Sequence, residues 1–255
     1  MDYQTLVVDN QDDITTVTIT RPEARNALSA RTLTELRHLL DHATTPLILT
    51  GSPGPAFVAG ADIREMAAMT PEEGEEFGRL GQSVTSLLES VPVPVIACVD
   101  GYALGGGCEI ALACDFVYAT EKSVFGQPEV LLGLIPGFGG CVRLQQQVGP
   151  ARAREMIYSG KQVDAAEAYR IGLVNHVYPA ARFAAEVAAF ARRLADGPPL
   201  ALQAIKANLN ASLGPALESI MEDERIAQRW LFTTADVREG VTAFIEKRPA
   251  RFKGE

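Results

Sequence analysis

The chain has few of the residues that build metal centres and disulfide frameworks. Its 255 residues include only three histidines and four cysteines, namely Cys98, Cys108, Cys114 and Cys141. The cysteines have no C-x-x-C spacing and stand among apolar residues, which favours buried free thiols in a reducing compartment over disulfides or metal ligands. His38 and His42 lie four residues apart and can share a helix face, but no third ligand follows them, so a solvated helix surface is favoured. We therefore expect no metal site.

A basic face and long hydrophobic runs are also missing. The 23 lysines and arginines stand against 32 aspartates and glutamates, a net charge of −9. This balance argues against a general binder of nucleic acid or membrane surfaces, although a few local basic residues can still hold a small phosphorylated ligand. The longest apolar stretches, such as residues 91–99, are too short to cross a bilayer and are broken by prolines. The N-terminus lacks the basic and apolar regions of a secretory signal, so we expect a cytoplasmic protein.

Strand and helix patterns alternate through most of the chain, whose 47% hydrophobic and 22% charged residues are typical of a soluble globular protein. Strand-then-helix patterns occur near residues 15–43, 46–89, 95–114 and 116–150. They predict an α/β fold of stacked strand–helix units with parallel strands, a kind of spiral. From residue 180 onward only helical patterns occur, at 183–195, 201–213 and 216–232. We therefore divide the chain into a core, residues 1–195, and a helical C-terminal region, residues 196–255.

Two glutamates stand out because residues 94–140 carry almost no other charge. Glu109 falls in the first turn of a predicted helix, where a carboxylate is commonly a structural cap. Glu129 is bracketed by apolar residues, so it must be partly exposed in a cleft, paired or protonated. Burial raises the pKa of a carboxyl group, which suits an acid that exchanges its proton near neutral pH. Two such acids beside glycine turns indicate paired proton transfer next to backbone N–H donors.

Two glycine-containing loops are candidates for those donors, and each has a plain alternative. Gly105-Gly106-Gly107 follows a predicted strand and opens a helix, so it is either a tight turn or a set of N–H groups that face an anionic oxygen. It matches neither the dinucleotide nor the P-loop pattern. The loop AFVAGADI, residues 56–63, is either a connection with Asp62 as helix N-cap or the source of a second N–H, from Ala61.

Five segments together resemble the enoyl-CoA hydratase branch of the crotonase superfamily. In chain order they are TRPEARNALS, AFVAGADIREM, PVIACVDGYALGGGCEIALACD, FGQPEVLLGLIPGFGG and FIEKRPARFKGE. The resemblance runs from about residue 14 to the C-terminus and implies a crotonase-like spiral of ββα repeats with a C-terminal helical trimerisation region. It implies a homotrimer, or a homohexamer made of two trimers, that acts on an acyl-CoA. Coenzyme A is then part of the substrate, and no separate cofactor, nucleic-acid partner or membrane partner is expected.

The same resemblance assigns roles to individual residues. The N–H groups of Ala61 and Gly106 would form an oxyanion hole for the thioester oxygen. Glu109 and Glu129 would hold the attacking water, with Glu129 the principal proton-transfer residue and Glu109 assisting as base or water anchor. The N–H of Gly137 would also contact that water. The residues assigned to substrate and CoA binding are Arg25, Ala27, Ala61, Asp62, Ile63, Arg64, Phe244 and Lys247.

Two of these assignments have an alternative. For Arg25 and Lys247, ordinary solvated charge is the competing interpretation. In some family members the residues that match Phe244 and Lys247 reach the CoA of an adjacent subunit.

The predicted function is that of an enoyl-CoA hydratase, a hydro-lyase that converts a trans-2-enoyl-CoA to a 3-hydroxyacyl-CoA. The alternatives are another acyl-CoA reaction of the superfamily (Δ3-Δ2 isomerase, specialised dehydratase or hydrolase) and a non-catalytic RNA-binding or scaffold protein. Retention of both acids favours the hydratase, and the net charge of −9 weighs against RNA. Phe138 is bulkier than the small residue common at its place in IPGxGG, so we expect it to shorten or redirect the acyl pocket.

Overall fold

The computed structural model describes residues 2–211 and 216–251. The strands are β1 (Leu6–Gln11), β2 (Ile14–Ile19), β3 (Leu47–Gly51), β4 (Ala56–Val58), β5 (Val95–Val99), β6 (Tyr102–Leu104), β7 (Phe116–Thr120), β8 (Val124–Gly126), β9 (Gln162–Asp164) and β10 (His176–Tyr178). The helices are α1 (Ala30–Leu40), α2 (Ile63–Met66), α3 (Pro71–Ser90), α4 (Gly106–Ala113), α5 (Gly140–Val148), α6 (Pro150–Ser159), α7 (Ala165–Arg170), α8 (Ala180–Ala195), α9 (Pro199–Ala211), α10 (Ala216–Leu231) and α11 (Ala235–Glu246). Two short 3-10 turns cover Pro22–Ala24 and Glu129–Leu132.

The strands form two sheets that the chain visits in turn. The larger sheet has the order β1-β2-β3-β5-β7-β10, in which β1 and β2 are an antiparallel hairpin and all other neighbours are parallel. The smaller sheet has the order β4-β6-β8-β9, and only β9 is antiparallel to its neighbour. From β3 to β8 each unit adds a strand to the larger sheet, a short strand to the smaller sheet and then a helical segment; β9 then joins the smaller sheet and, after α7, β10 joins the larger one. This ββα repeat confirms the expected α/β fold class.

The alternation of strand and helix was predicted correctly, but the residue pattern did not predict the strands of the smaller sheet. The segment 56–63, interpreted as a loop, begins with the strand β4. Strands of three residues are too short to show alternation, and they form because distant segments pair with them rather than through local propensity.

The parallel centre of the larger sheet is buried on both faces, as parallel sheets are, whereas the edge strand β1 is largely exposed. In β5, Val95, Ala97 and Val99 face the main core, which also receives side chains from α1, α3, α4 and α5. The intervening Ile96 faces a second cluster, formed with Phe183 and other residues of α8. The two-residue period of the strand therefore supplies both cores, with α8 covering the face opposite the main helices.

Local signals set the predicted helix starts. The Ser29 hydroxyl accepts a hydrogen bond from the Thr32 N–H at 3.1 Å and begins α1, while Thr70 and Glu73 form a capping box at the start of α3. The C-terminal part is helical as expected, although the end of the predicted helix 201–213 and residues 252–255 lie outside the described residues. The domain division at residue 195 stays a prediction. Within 2–211 and 216–251, no helix is long and apolar enough to cross a membrane.

Candidate active site

The backbone of Ala61 is oriented so that its N–H points away from the neighbouring segment, which contains Leu28. Leu28 N–H donates to the Gly60 carbonyl and Asp62 N–H donates to the Leu28 carbonyl, both at 2.8 Å, and these bonds form an isolated parallel bridge. In such a bridge the residues on either side of Ala61 supply the bonding groups. The N–H of Ala61 therefore points to the opposite side, and it has no acceptor within the described residues.

Gly106 presents a second N–H of the same kind. It is the first residue of α4, and the N–H of a first helical residue has no acceptor in its own helix. The residues that precede the two donors, Gly60 and Gly105, have φ of 119° and 49°, a region that favours glycine. A Cβ on Gly105 would lie 3.9 Å from the Cα of Gly60, so the two turns are adjacent. The structure thus brings the donors predicted for the oxyanion hole together.

Glu129 lies against this pair of turns. It begins the 3-10 turn that follows Pro128, and its Oε1 is 3.0 Å from the position that a Cβ on Gly105 would take. With its amide nitrogen turned toward Glu129, the fully buried Gln127 donates to Oε1 at 2.9 Å. Desolvation by burial raises the pKa of Glu129 to about 8, despite an opposing hydrogen bond from its own N–H. The carboxyl group is therefore suited to carry a proton near neutral pH.

Glu109 is buried and does not cap its own helix. Its Oε1 accepts hydrogen bonds from the N–H groups of Phe138 and Gly140, each at 2.7 Å, where α5 begins. Its Oε1 and the Gln127 amide are each 2.8 Å from the position that a Cβ on Gly140 would take. Desolvation and then the charge of Glu129 raise the pKa of Glu109 well above its usual range. The two acids therefore compete for ionisation in one small volume.

Gly137 lies in the loop that connects the 3-10 turn of Glu129 to α5. Its N–H has no acceptor in the described part of the chain, whereas its carbonyl accepts from the Gln82 amide at 3.1 Å. The residue pattern did not reveal two further polar groups at this place. Gln127 lies in the segment FGQPEVLLG, where nothing distinguishes it from an ordinary polar residue. Glu224 lies far away in the sequence, on α10.

The residues predicted for substrate binding around Ala61 belong to two chain segments that contact each other. Asp62 caps α2 and pairs with Arg21 at 2.8 Å, and Arg21 also donates to the Ala27 carbonyl at 2.6 Å. Arg25 has an exposed side chain, while its carbonyl accepts from the Ala59 N–H. These contacts tie the segment 21–28 to the segment that carries Ala61. In the next segment, Ile63 is half-buried and Arg64 is exposed.

Phe244 and Lys247 lie near the end of α11, and Phe244 is 59% exposed. In the same helix Gly240 packs against Leu132, since a Cβ on Gly240 would lie 2.6 Å from the Leu132 carbonyl oxygen. The helix that carries the predicted CoA residues thus rests on the 3-10 turn that begins with Glu129.

The described residues contain no group of three or more histidines, cysteines, aspartates or glutamates placed to hold a metal ion. All four cysteines are free, and burial raises the pKa of each thiol, that of Cys98 to about 12. The thiols are therefore weak nucleophiles.

Comparison with known proteins identifies the family of this chain. The pattern of the family described as Enoyl-CoA hydratase/isomerase matches residues 9–255. A crotonyl-CoA hydratase of Syntrophomonas wolfei is 43% identical over 99% of both chains, and a short-chain-enoyl-CoA hydratase of Clostridium acetobutylicum is 40% identical over 97% of both. The crystal structure of an enoyl-CoA hydratase from Mycobacterium avium subsp. paratuberculosis has a TM-score of 0.90 at 32% identity, over 99% of this chain and 100% of that one. This chain belongs to the enoyl-CoA hydratase/isomerase family, in its crotonase-type hydratase branch.

Proposed function

We infer that this protein is an enoyl-CoA hydratase, which adds water across the 2,3 double bond of a trans-2-enoyl-CoA and forms a 3-hydroxyacyl-CoA. One observation carries the mechanism: Glu129 lies against Gly105, directly beside the turns that present the N–H groups of Ala61 and Gly106. A thioester oxygen that accepts from those two donors would thus have a proton-carrying acid beside it. The full-length similarity to named hydratases supports the same reaction.

The proposed reaction needs no atoms beyond the substrate and one water. The water oxygen bonds to C3, and the electrons of the double bond move onto the thioester oxygen as an enolate. The N–H groups of Ala61 and Gly106 stabilise that charge, and a fixed donor of this kind typically contributes about 10²–10³ in rate. The water loses one proton to a carboxylate, and C2 gains one from a carboxylic acid as the enolate collapses. Hydroxyl at C3 and hydrogen at C2 together make up the added water.

Glu129 is the proposed acid for C2 and Glu109 the proposed base and water anchor. A pKa of about 8 keeps Glu129 protonated at neutral pH, which suits a donor. The two backbone hydrogen bonds that Glu109 accepts lower its pKa, but desolvation and the charge of Glu129 outweigh them and raise it, so ionisation of one acid opposes ionisation of the other. One proton shared between two coupled acids satisfies both roles, and the Gly137 N–H is the proposed further contact to the water.

We propose a short acyl chain for the substrate. The ring of Phe138 fills the space beside Gly106, with its Cε2 atom 2.9 Å from the position of a Cβ on that residue. This bulk sits next to the proposed oxyanion hole and leaves less room for a long chain. The names of the two relatives, a crotonyl-CoA hydratase and a short-chain-enoyl-CoA hydratase, support the same choice.

The proposed assembly is a homotrimer or a homohexamer. Large apolar side chains are exposed on α9, α10 and α11, among them Leu200, Leu209, Ile226 and Trp230. Exposed apolar groups concentrated in one region mark an interaction surface. The proposed location is the cytoplasm, a choice supported by four free thiols.

The function is tested with the purified protein and a panel of trans-2-enoyl-CoAs from crotonyl-CoA to long-chain substrates. We expect loss of the conjugated-thioester absorbance, fastest with crotonyl-CoA, and a 3-hydroxyacyl-CoA as the product on chromatography. An enzyme that instead converts 3-enoyl-CoAs to conjugated products, without hydrating any 2-enoyl-CoA, is an isomerase and contradicts the proposal.

A further inference from the structure

Glu224 is a buried acid that the C-terminal helices bring to the proposed active site. It lies on α10 and is only 4% exposed. Its Oε2 accepts a hydrogen bond from the Gly139 N–H at 2.9 Å, and its Oε1 accepts one from the Cys141 N–H at 3.1 Å. Both donors belong to the turn from which α5 begins, so the carboxylate ties the last part of the chain to that turn.

The same turn is held from its other side by Glu109. That acid accepts from the N–H groups of Phe138 and Gly140, so four consecutive N–H groups alternate between two carboxylates. Negative charge is favoured at a helix N-terminus, and here two acids share it. A shift of the turn on the Glu224 side would therefore move the donors that hold Glu109.

Further contacts join α10 to the loop that carries Gly137. The Gln82 amide donates both to the Gly137 carbonyl at 3.1 Å and to the Met221 carbonyl at 2.9 Å. Gln228 lies one turn after Glu224, and its Nε2 is 3.1 Å from the position that a Cβ on Gly137 would take. One face of α10 thus contacts and stabilises the loop between Glu129 and α5.

We propose that Glu224 is a positioning residue for the hydration reaction: by holding the N–H groups of Gly139 and Cys141 it sets the place of Glu109 and of the Gly137 N–H. This role rests on the proposed function, because it acts through residues assigned to the water. Without the carboxylate, the buried N–H of Gly139 and the part-buried N–H of Cys141 lose their acceptors, and the turn relaxes away from Glu109.

Glu224 also acts through its charge. The charged and titratable groups around it are Glu109 on α4, Glu129 in the 3-10 turn, Cys141 and Arg143 on α5, and Glu89 on α3, which pairs with Arg143 at 2.6 Å. Desolvation raises the pKa of Glu224 to about 7, and its charge raises the pKa of both Glu109 and Glu129. Removal of this charge therefore lowers the proton affinity of the two acids.

The test compares Glu224→Gln with the matched control Glu222→Gln, which neutralises a half-exposed carboxylate two residues earlier on the same helix. The measurement is kcat/KM for hydration of crotonyl-CoA from about pH 5 to about pH 10. For Glu224→Gln we expect a fall of about ten- to hundredfold at the optimum and a shift of both limbs of the profile to lower pH. The control is expected to keep the wild-type optimum and limbs.

A third variant, Glu224→Asp, separates the effect of the charge from the effect of side-chain length. It also replaces the glutamine variant in the test if that variant does not fold. It keeps the charge but shortens the side chain, so we expect a lower optimum with limbs at their wild-type positions. The proposal is overturned if Glu224→Gln has wild-type kinetics, or if its rate falls while both limbs of its pH profile stay in place. If only Glu224→Asp folds, wild-type rates in that variant overturn it. Absence of hydration by the wild-type protein is a different result, since it removes the proposed function itself.

Discussion

The rings of Phe77 on α3 and Phe138, two residues before α5, lie 5.6 Å apart in a tilted contact. Phe138 is buried against Gly81 and Gly106, where a Cβ on either glycine would collide with its ring. Phe77 also lines a surface cavity of about 710 Å³, together with Met69, Leu80 and polar residues. The aromatic pair therefore lies between Gly106 and this cavity.

We predict that Phe138→Leu broadens the range of acyl chains. Removal of ring volume next to Gly106 opens a path toward the surface cavity, so kcat/KM for medium-chain enoyl-CoAs should rise about tenfold or more relative to crotonyl-CoA. The matched control is Phe183→Leu, which makes the same change in the cluster on the opposite face of the larger sheet. An unchanged chain-length profile in Phe138→Leu would show that this ring does not limit the pocket.

Two variants at Glu109 are expected to separate its proton chemistry from its structural role. Glutamine retains an oxygen that accepts from the N–H groups of Phe138 and Gly140, so Glu109→Gln should fold normally but lose about 10²–10⁴ in kcat. Alanine leaves both N–H groups without an acceptor, so Glu109→Ala should also have a lower melting temperature. The measurements are steady-state hydration and thermal unfolding. Equal melting temperatures in the two variants would argue against the structural role.

Gly105→Ala tests the geometry of the oxyanion hole. Its φ of 49° and the Glu129 Oε1 atom, 3.0 Å from the new Cβ, oppose the substitution. We expect a loss of about 10² or more in kcat, because both the Gly106 donor and Glu129 are displaced. Gly54→Ala is a suitable control, since a Cβ there meets only ordinary van der Waals contact. Full activity in Gly105→Ala would place the oxyanion hole elsewhere.

The raised pKa of Glu129 has a consequence for stability. In the unfolded chain this carboxyl group ionises near its usual pKa of 4.5, whereas in the folded protein it holds its proton up to about pH 8. The folded state thus binds more protons between these values, so this group's contribution to stability is lost as pH rises through that window. Glu129→Gln should therefore melt at an increasingly higher temperature than the wild type as pH rises from about 5 to about 8. The control is Glu121→Gln, which changes an exposed carboxylate. A difference in melting temperature between Glu129→Gln and the wild type that does not grow with pH would contradict a raised pKa of Glu129.

Local sequence signals predicted the parts of the fold that depend on neighbours in the chain. Ser29 and Thr70 begin the helices expected of them, and the period of β5 distributes its side chains to two cores. The short strands of the smaller sheet could not be predicted in this way, because three residues carry no periodicity and are formed by long-range pairing. Their pairing is what brings the Ala61 and Gly106 turns together.

Some residues of the candidate site could be predicted from local sequence and others could not. Glu109 and Glu129 were conspicuous because they stand in apolar surroundings, and Gly105 and Gly106 because they form part of a glycine cluster. Glu224 has no such signal, since it lies in a charged amphipathic helix where an acid is unremarkable. Only the packing of α10 against α3 and α5 makes it a buried group of the site. Long-range placement of this kind cannot be inferred from one residue and its neighbours.

The assignment of Glu129 as the proton carrier is tested most directly by hydration of crotonyl-CoA with Glu129→Gln. The amide cannot donate and recover a proton as a carboxyl group does, whereas its size is nearly the same. We predict that kcat falls by at least about 10², while the circular dichroism spectrum and the affinity for a CoA thioester stay close to those of the wild type. Turnover near the wild-type rate in this variant would contradict the two-acid mechanism.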